Sequence, residues 1–191
     1  MILPVLLMLF QGLYLSDAVR CEKRKPQNMH GIKPQVSIKE MKSGNGGLIK
    51  ILPVLSPEWE LSFKFKINSF DFNNFKRVIR ITNGQSYPVY GFATPSVLMY
   101  QTMLQVSSAV NDSSDFTFKK WGMALNTVYN LKVSQYYVAD GKYRYTVFLD
   151  GVEVLLAMNA KPTQFYNTQI HVLEGNGADC DVTDLRFIHF L

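Results

Sequence analysis

Residues Glu58 to Ile67 read Glu-Trp-Glu-Leu-Ser-Phe-Lys-Phe-Lys-Ile. Trp59, Leu61, Phe63, Phe65 and Ile67 share one parity, and Glu58, Glu60, Ser62, Lys64 and Lys66 share the other. Successive side chains of a strand point to opposite faces, so this stretch predicts a strand with one apolar and one charged, solvated face. An apolar face on one side only demands a second layer to cover it. That requirement constrains the other 181 residues more than any other feature of the sequence.

A meander supplies further strands. Tyr129, Leu131, Val133 and Gln135 share one parity; Tyr143, Tyr145, Val147 and Leu149 follow in the same way, and Val152 to Ala157 is a third run. Asp140-Gly141 and Asp150-Gly151 separate them, and Asp-Gly tolerates the positive φ angles of two-residue hairpin turns. Shorter candidate strands lie at Gln35–Met41, Leu48–Leu55 (interrupted by Pro53), Val78–Thr82, Val97–Tyr100, Met103–Val106, Phe116–Lys119, around Ile170 and Val172, and at Leu185–Leu191. Asn83-Gly84 reads as another tight turn, Ser43 to Gly47 as a turn, and Asn111 to Asp115 as a polar loop tip. No stretch keeps a 3.6-residue period over three turns. Short strands at this spacing specify an all-β, antiparallel β-sandwich of jelly-roll type, one domain over residues 35–191. With 47% hydrophobic and 13% aromatic residues, the chain has material for a sizeable core.

The N-terminus addresses the compartment. An apolar run from Ile2 to Phe10 is followed by Ser16-Asp17-Ala18, small residues at the positions a signal peptidase reads, so residues 1–18 read as a signal peptide cleaved after Ala18. The chain is therefore expected to be secreted and extracellular. No other stretch approaches the roughly 20 apolar residues of a membrane span. Residues 19–34 are polar and basic, with Lys23-Arg24-Lys25, and read as a flexible leader that binds polyanions or is processed at its basic residues. Cys21 and Cys180 pair either with each other, stapling the two ends of the domain, or Cys21 pairs between chains; domain termini usually lie close together, which favours the internal bond. Asn111-Asp112-Ser113 is an N-glycosylation sequon.

Catalytic signatures are absent. No Gly-x-Ser-x-Gly elbow, phosphate loop or zinc spacing occurs, and His30, His171 and His189 are far apart, read as strand-edge or surface residues. Oxygen-rich turns at Asp71, Asn73, Asn74 and Asn83, and at Asp179, Asp181 and Asp184, leave scattered calcium ligands open but specify no metal or cofactor. Glu58 and Glu60 have the spacing of a glycosidase pair on one strand, yet share their parity with lysines, the pattern of a solvated face. A non-enzymatic protein is the expectation. The net charge of +5 and pI of about 9.1 favour acidic partners such as sulfated glycans or mineral-bound polyanions.

Several phrases resemble known proteins. Glu58-Trp59-Glu60-Leu61-Ser62-Phe63, Tyr90-Gly91, Leu104-Gln105-Val106, Leu131 to Gln135, Asn159 to Phe165 and Val182 to Leu185 together resemble the concanavalin A-like lectin/glucanase sandwich. They resemble more closely a secreted invertebrate family that includes uncharacterized coral skeletal organic matrix proteins. This resemblance implies a concanavalin A-like sandwich, extracellular life and a role in skeletal (biomineral) matrix. Trp121-Gly122 is similar to a galectin phrase, but Met123-Ala124-Leu125 stands where acidic and arginine residues are expected. The reading that results is a secreted extracellular matrix or interaction protein, with matrix polymers or acidic glycans as partners and no nucleic acid. The alternative is a carbohydrate-binding lectin whose site lies in loops at one end of the sandwich.

Overall fold

The structure, a computed structural model, describes residues 34–190. Residues 1–18, expected to be a signal peptide, the expected leader apart from Pro34, Cys21 and His30 lie outside the described residues. Twelve strands follow one another: β1 (Val36–Met41), β2 (Gly47–Leu55), β3 (Trp59–Ser69), β4 (Phe75–Thr82), β5 (Ser96–Tyr100), β6 (Met103–Val110), β7 (Ser113–Lys120), β8 (Val128–Ala139), β9 (Lys142–Leu149), β10 (Val152–Asn159), β11 (Phe165–Glu174) and β12 (Asp179–His189). Sheet A has the order β1-β12-β3-β8-β9-β10 and sheet B the order β2-β11-β4-β5-β6-β7, antiparallel throughout. This is the antiparallel β-sandwich that the sequence specifies. No helix among the described residues is long and apolar enough to cross a membrane.

The opening strand explains why two sheets form. Trp59, Leu61, Phe63, Phe65 and Ile67 are all at most 3% exposed on the inner face of β3. Each such aliphatic or phenyl side chain contributes about 1.5–3 kcal/mol when fully buried. The inner faces of β8, β9 and β12 add Leu131, Val133, Val147, Val182 and Phe187, and sheet B answers with Ile79, Ile81, Val97, Met99, Leu104, Val106 and Val172. Trp59 meets Tyr145 edge-on at 6.3 Å, and Phe65 stacks on Tyr129 at 5.5 Å, the offsets aromatic quadrupoles favour.

The turns follow local chemistry. Asp140 and Gly141 have φ of 51° and 71°, and Asp150 and Gly151 have 52° and 80°, the double-positive pair of a type I′ turn. Asn111 and Asp112 (52° and 64°) do the same between β6 and β7, so the expected polar loop tip is a two-residue turn and β7 begins at Ser113. Two expectations change. Asn83-Gly84 does not close a tight hairpin; it opens a long loop, residues 83–95, that leads back into β5. Pro53 does not end its strand, because β2 is an edge strand and can lack one N–H.

Cys180 sits on the inner face of β12, opposite Ile67, and is 0% exposed. Burial pushes its thiol up to about 12. Asn111 is exposed, yet its side chain is engaged: Nδ2 donates to the Met158 carbonyl at 2.6 Å and Oδ1 accepts from Ala160 N–H at 2.6 Å.

Candidate functional site

The outer face of sheet B is built by a local irregularity. In β4, Arg77 lies opposite Leu98 of β5 and Arg80 lies opposite Ser96, with one extra residue on β4 between them. Val78 and Ile79 both turn inward and are 0% exposed. Such a bulge places residues three apart on one face, where strict alternation would split them. Both arginines therefore project outward from one strand. Strand β11 stays in phase with β4, setting Glu174 opposite Arg77 and His171 opposite Arg80. Leu173 accommodates this with a φ of 53°. Gly46 lies so close to the β11 backbone that a Cβ there would stand 2.3 Å from the Leu173 carbonyl oxygen.

Register then defines two rows across the sheet. One runs His171–Arg80–Ser96–Ser107–Thr117 and the other Glu174–Arg77–Leu98–Gln105–Lys119. The second edge of the surface is a hydrogen-bonded chain. Gln105 Nε2 donates to Ser107 Oγ at 2.9 Å, Ser107 and Thr117 hydroxyls share a bond of 3.1 Å, and Thr117 Oγ1 donates to Asp115 Oδ1 at 2.9 Å. A groove of about 170 Å³ lies over the middle of these rows, lined by Phe75, Arg77, Ser96, Leu98, Gln105, Ser107 and Asp115. Tyr87 and Phe92 of loop 83–95 form a wall, with their rings edge-to-face at 5.5 Å.

The electrostatics are uneven. Arg80 Nη2 donates to Glu174 Oε1 at 2.9 Å, and His171 Nδ1 stands 3.7 Å from the same oxygen. Arg80 Nε and Glu174 Oε2 are buried with no hydrogen-bond partner among the described residues. Burial, and then the like charge of Arg80, hold the Arg77 guanidinium below its ordinary range against the pull of Glu174. Its Cζ lies 4.7 Å from the centre of the Phe75 ring, a cation–π contact. Burial is also the main cause that lowers His171, with Arg80 and Arg77 adding to it and Glu174 opposing, so the imidazole is neutral at pH 7. Its Nε2 is 3.1 Å from Gln169 Oε1. Two guanidiniums beside Glu174, with Asp115 and the hydroxyl chain across the groove, form a surface that can take an anionic, hydroxylated ligand.

Alternation alone hides this site. It puts Arg77 on the inner face, and it treats His171 as a strand-edge or surface residue, whereas β11 is an inner strand of its sheet. The available signal was Gln169-x-His171 on one parity, with Arg77 and Arg80 in an otherwise apolar strand.

The other sequence candidates lie elsewhere. Glu58 is 5% exposed rather than solvated; it precedes β3, burial raises its pKa, and Oε1 accepts from Tyr137 N–H at 3.1 Å. Glu60 is held by Lys132 Nζ at 2.7 Å and by the Tyr136 hydroxyl, so both carboxylates of the glycosidase spacing are committed to their own neighbours. Asp71 caps its own loop, accepting from Asn73 and Asn74 N–H, and these bonds lower its pKa. Among the described residues no group of three or more His, Cys, Asp and Glu is placed to hold a metal ion. His189 is buried at the end of β12, where Nδ1 accepts from Ser56 N–H at 3.3 Å. Trp121 is 60% exposed just after β7.

No family model matches the sequence, and no curated protein does. Solved structures do match in shape. The receptor binding domain of botulinum neurotoxin D is similar with a TM-score of 0.55 and 10% identity over 87% of this chain and 43% of that one. Alginate lyase Aly36B, solved with an alginate tetrasaccharide, gives 0.52 and 16% over 82% and 81%. The heptameric SAP-like pentraxin of Limulus polyphemus gives 0.51 and 16% over 81% and 71%. The chain spans less than half of the neurotoxin domain it matches. At these identities the likeness establishes a jelly-roll β-sandwich consistent with the concanavalin A-like fold.

Proposed function

We propose that the outer face of sheet B binds an acidic polysaccharide, with Arg77 and Arg80 receiving its carboxylate or sulfate groups and the Tyr87–Phe92 wall stacking against a sugar ring. The observation that carries this is the bulge, which turns Arg77 and Arg80 to one face of β4, with Glu174 opposite Arg77 in the ladder and ion-paired to Arg80. Sandwiches of this shape include one solved with an alginate tetrasaccharide, which fits a glycan role. The setting we propose is a secreted, non-enzymatic extracellular matrix protein, a skeletal organic matrix component among its forms, that adheres to acidic matrix polymers. The sugar then lies across strands and under loop 83–95 rather than in loops at one end.

Calorimetric titration with an alginate tetrasaccharide and with an uncharged oligosaccharide of equal length tests the reading. Affinity for the uronate should fall steeply with salt. The double variant Arg77→Ala/Arg80→Ala should weaken it by about ten-fold or more, the scale of a lost charge-assisted hydrogen bond. Equal affinity for the uncharged oligosaccharide, or an unaffected double variant, would refute it.

A second reading has its own observation. His171 is neutral, next to Gln169 and in register with Arg80. A neutral imidazole can take the proton α to a uronate carboxylate whose charge an arginine offsets, the first step of an elimination. Appearance of the ultraviolet-absorbing unsaturated sugar, abolished in His171→Gln, would make the protein a lyase.

A further inference from the structure

The opposite face of the sandwich carries a second depression that the acidic-glycan reading leaves unused. It measures about 470 Å³ and lies on the outer side of sheet A, lined by Ser62, Lys64, Asn130, Lys132, Phe148 and Asp184. Register fixes its plan: Ser62, Lys132 and Phe148 form one row across β3, β8 and β9, and Lys64 and Asn130 form the next. The footprint is about 10 Å across the strands and about 7 Å along them, from ordinary strand spacing and rise.

Its chemistry differs from that of sheet B. Lys64 Nζ is bonded to Asp184 at 2.8 Å and Lys132 Nζ to Glu60 at 2.7 Å, so both lysines that line it are matched; Arg186, opposite Ser62 on β12, is exposed outside the lining. The side chains of Ser62 and Asn130 have no hydrogen-bond partner among the described residues. Asn130 uses only its backbone here, its N–H donating to Asp150 Oδ1 at 2.8 Å and its carbonyl accepting from Asp150 N–H at 2.8 Å. Phe148 is half-buried beside them. A phenyl ring next to a free amide and a free hydroxyl, with both lining lysines paired, suits a ligand that has an apolar C–H face and many hydroxyls but no charge.

We infer that the outer groove of sheet A is a second binding site, for a disaccharide-length segment of a neutral polysaccharide, with Phe148 as stacking platform and Ser62 and Asn130 as hydroxyl partners. A protein with a neutral-glycan site on one sheet and an acidic-glycan site on the other would bridge two kinds of polymer. The sheet A site stands on its own observations and does not depend on the reading of sheet B.

The test is titration of the full chain with two neutral hexasaccharides, a β-glucan and a β-mannan, followed by backbone NMR shifts. Binding of at least one is expected, with shifts at β3, β8 and β9. Phe148→Ala should weaken it about ten-fold, as should Ser62→Ala/Asn130→Ala, a surface pair that keeps the core intact. Arg77→Ala/Arg80→Ala should leave it unchanged. No binding of either sugar up to about 10 mM, far above a useful affinity, would overturn the site. So would shifts confined to sheet B, or loss of binding only in the arginine variant.

Discussion

On the outer face of sheet A, Lys64 meets Asp184 at 2.8 Å, Lys66 meets Asp181 at 3.6 Å, Lys132 meets Glu60 at 2.7 Å and Arg144 meets Glu153 at 3.0 Å. On the outer face of sheet B, Arg77 and Arg80 both face Glu174. The two faces draw on the same residue types and differ in arrangement: sheet A pairs these four cations with one acid each and leaves Arg186 exposed beside Ser62, whereas sheet B sets two arginines against Glu174. Direct cross-strand pairing accounts for Lys66 and Asp181, which lie opposite each other, while Asp184 reaches Lys64 from an irregularity of its own, an extra residue in β12 between Thr183 and Arg186 with a φ of 52° at Asp184. The bulge in β4 produces the sheet B arrangement, by adding an outward arginine without adding an outward acid. The sequence-wide excess of positive charge does not explain the difference. Arg20, Lys23, Arg24, Lys25 and Lys33 all precede residue 34, and the described region is close to charge-balanced.

Four perturbations would break or sharpen this contrast. The largest removes what the faces share: Phe65→Ala should cost about 3–5 kcal/mol, and both faces should melt together in one transition followed by circular dichroism and by ligand binding. Separate transitions would mean that the sheets do not depend on one core. Next, Gly177 lies against the start of β4, where a Cβ would stand 2.2 Å from the Phe75 carbonyl carbon. Gly177→Ala should cost about 1–3 kcal/mol by overpacking, and should disturb uronate binding on sheet B more than neutral-sugar binding on sheet A. A pH titration separates the faces differently. Burial lowers His171, so as pH falls below about 7 the unfolded chain, with its imidazole near 6.5, takes up the proton first. Stability is complete above the unfolded value and declines as pH falls through it. Uronate affinity should move the other way, because a bound anion favours the imidazolium; His171→Gln should remove that rise. His189 is lowered in the same sense, by burial first, so some loss of stability should survive in His171→Gln. The smallest effect belongs to Lys66→Ala, whose ion pair is long at 3.6 Å and open to water on the lysine side, and it should change stability by less than about 1 kcal/mol in denaturant titration.

Much of the sandwich could be read from the chain because its rules are local. The alternation of Trp59 to Ile67, the Asp-Gly pairs at 140 and 150, and the parity of Tyr129 to Gln135 each state a strand or turn within a few residues. What escaped reading is non-local. Whether Asn83-Gly84 closes a hairpin depends on where β5 pairs, and β5 pairs only after a loop that carries Tyr87 and Phe92 over the sheet. Glu58 has the parity of a solvated residue but lies outside the strand proper, where the β8 backbone accommodates its carboxylate. The candidate site depends on a register shift, and a shift is invisible to any rule that assumes regular alternation. Arg77 and Arg80 were in plain view as residues and became a pair only through the ladder.

The extra residue in β4 and the positive φ at Leu173 carry a consequence for the protein's history. Because β11 keeps step with β4 across the irregularity, losing Val78 alone would put the two strands out of phase and separate His171 and Glu174 from the arginines they face. Losing Val78 and Leu173 together would restore the ladder with the same four side chains outward. The two positions form a linked pair of insertions, and related chains should possess both or neither. Where only one is present, the arginine surface should be gone as well.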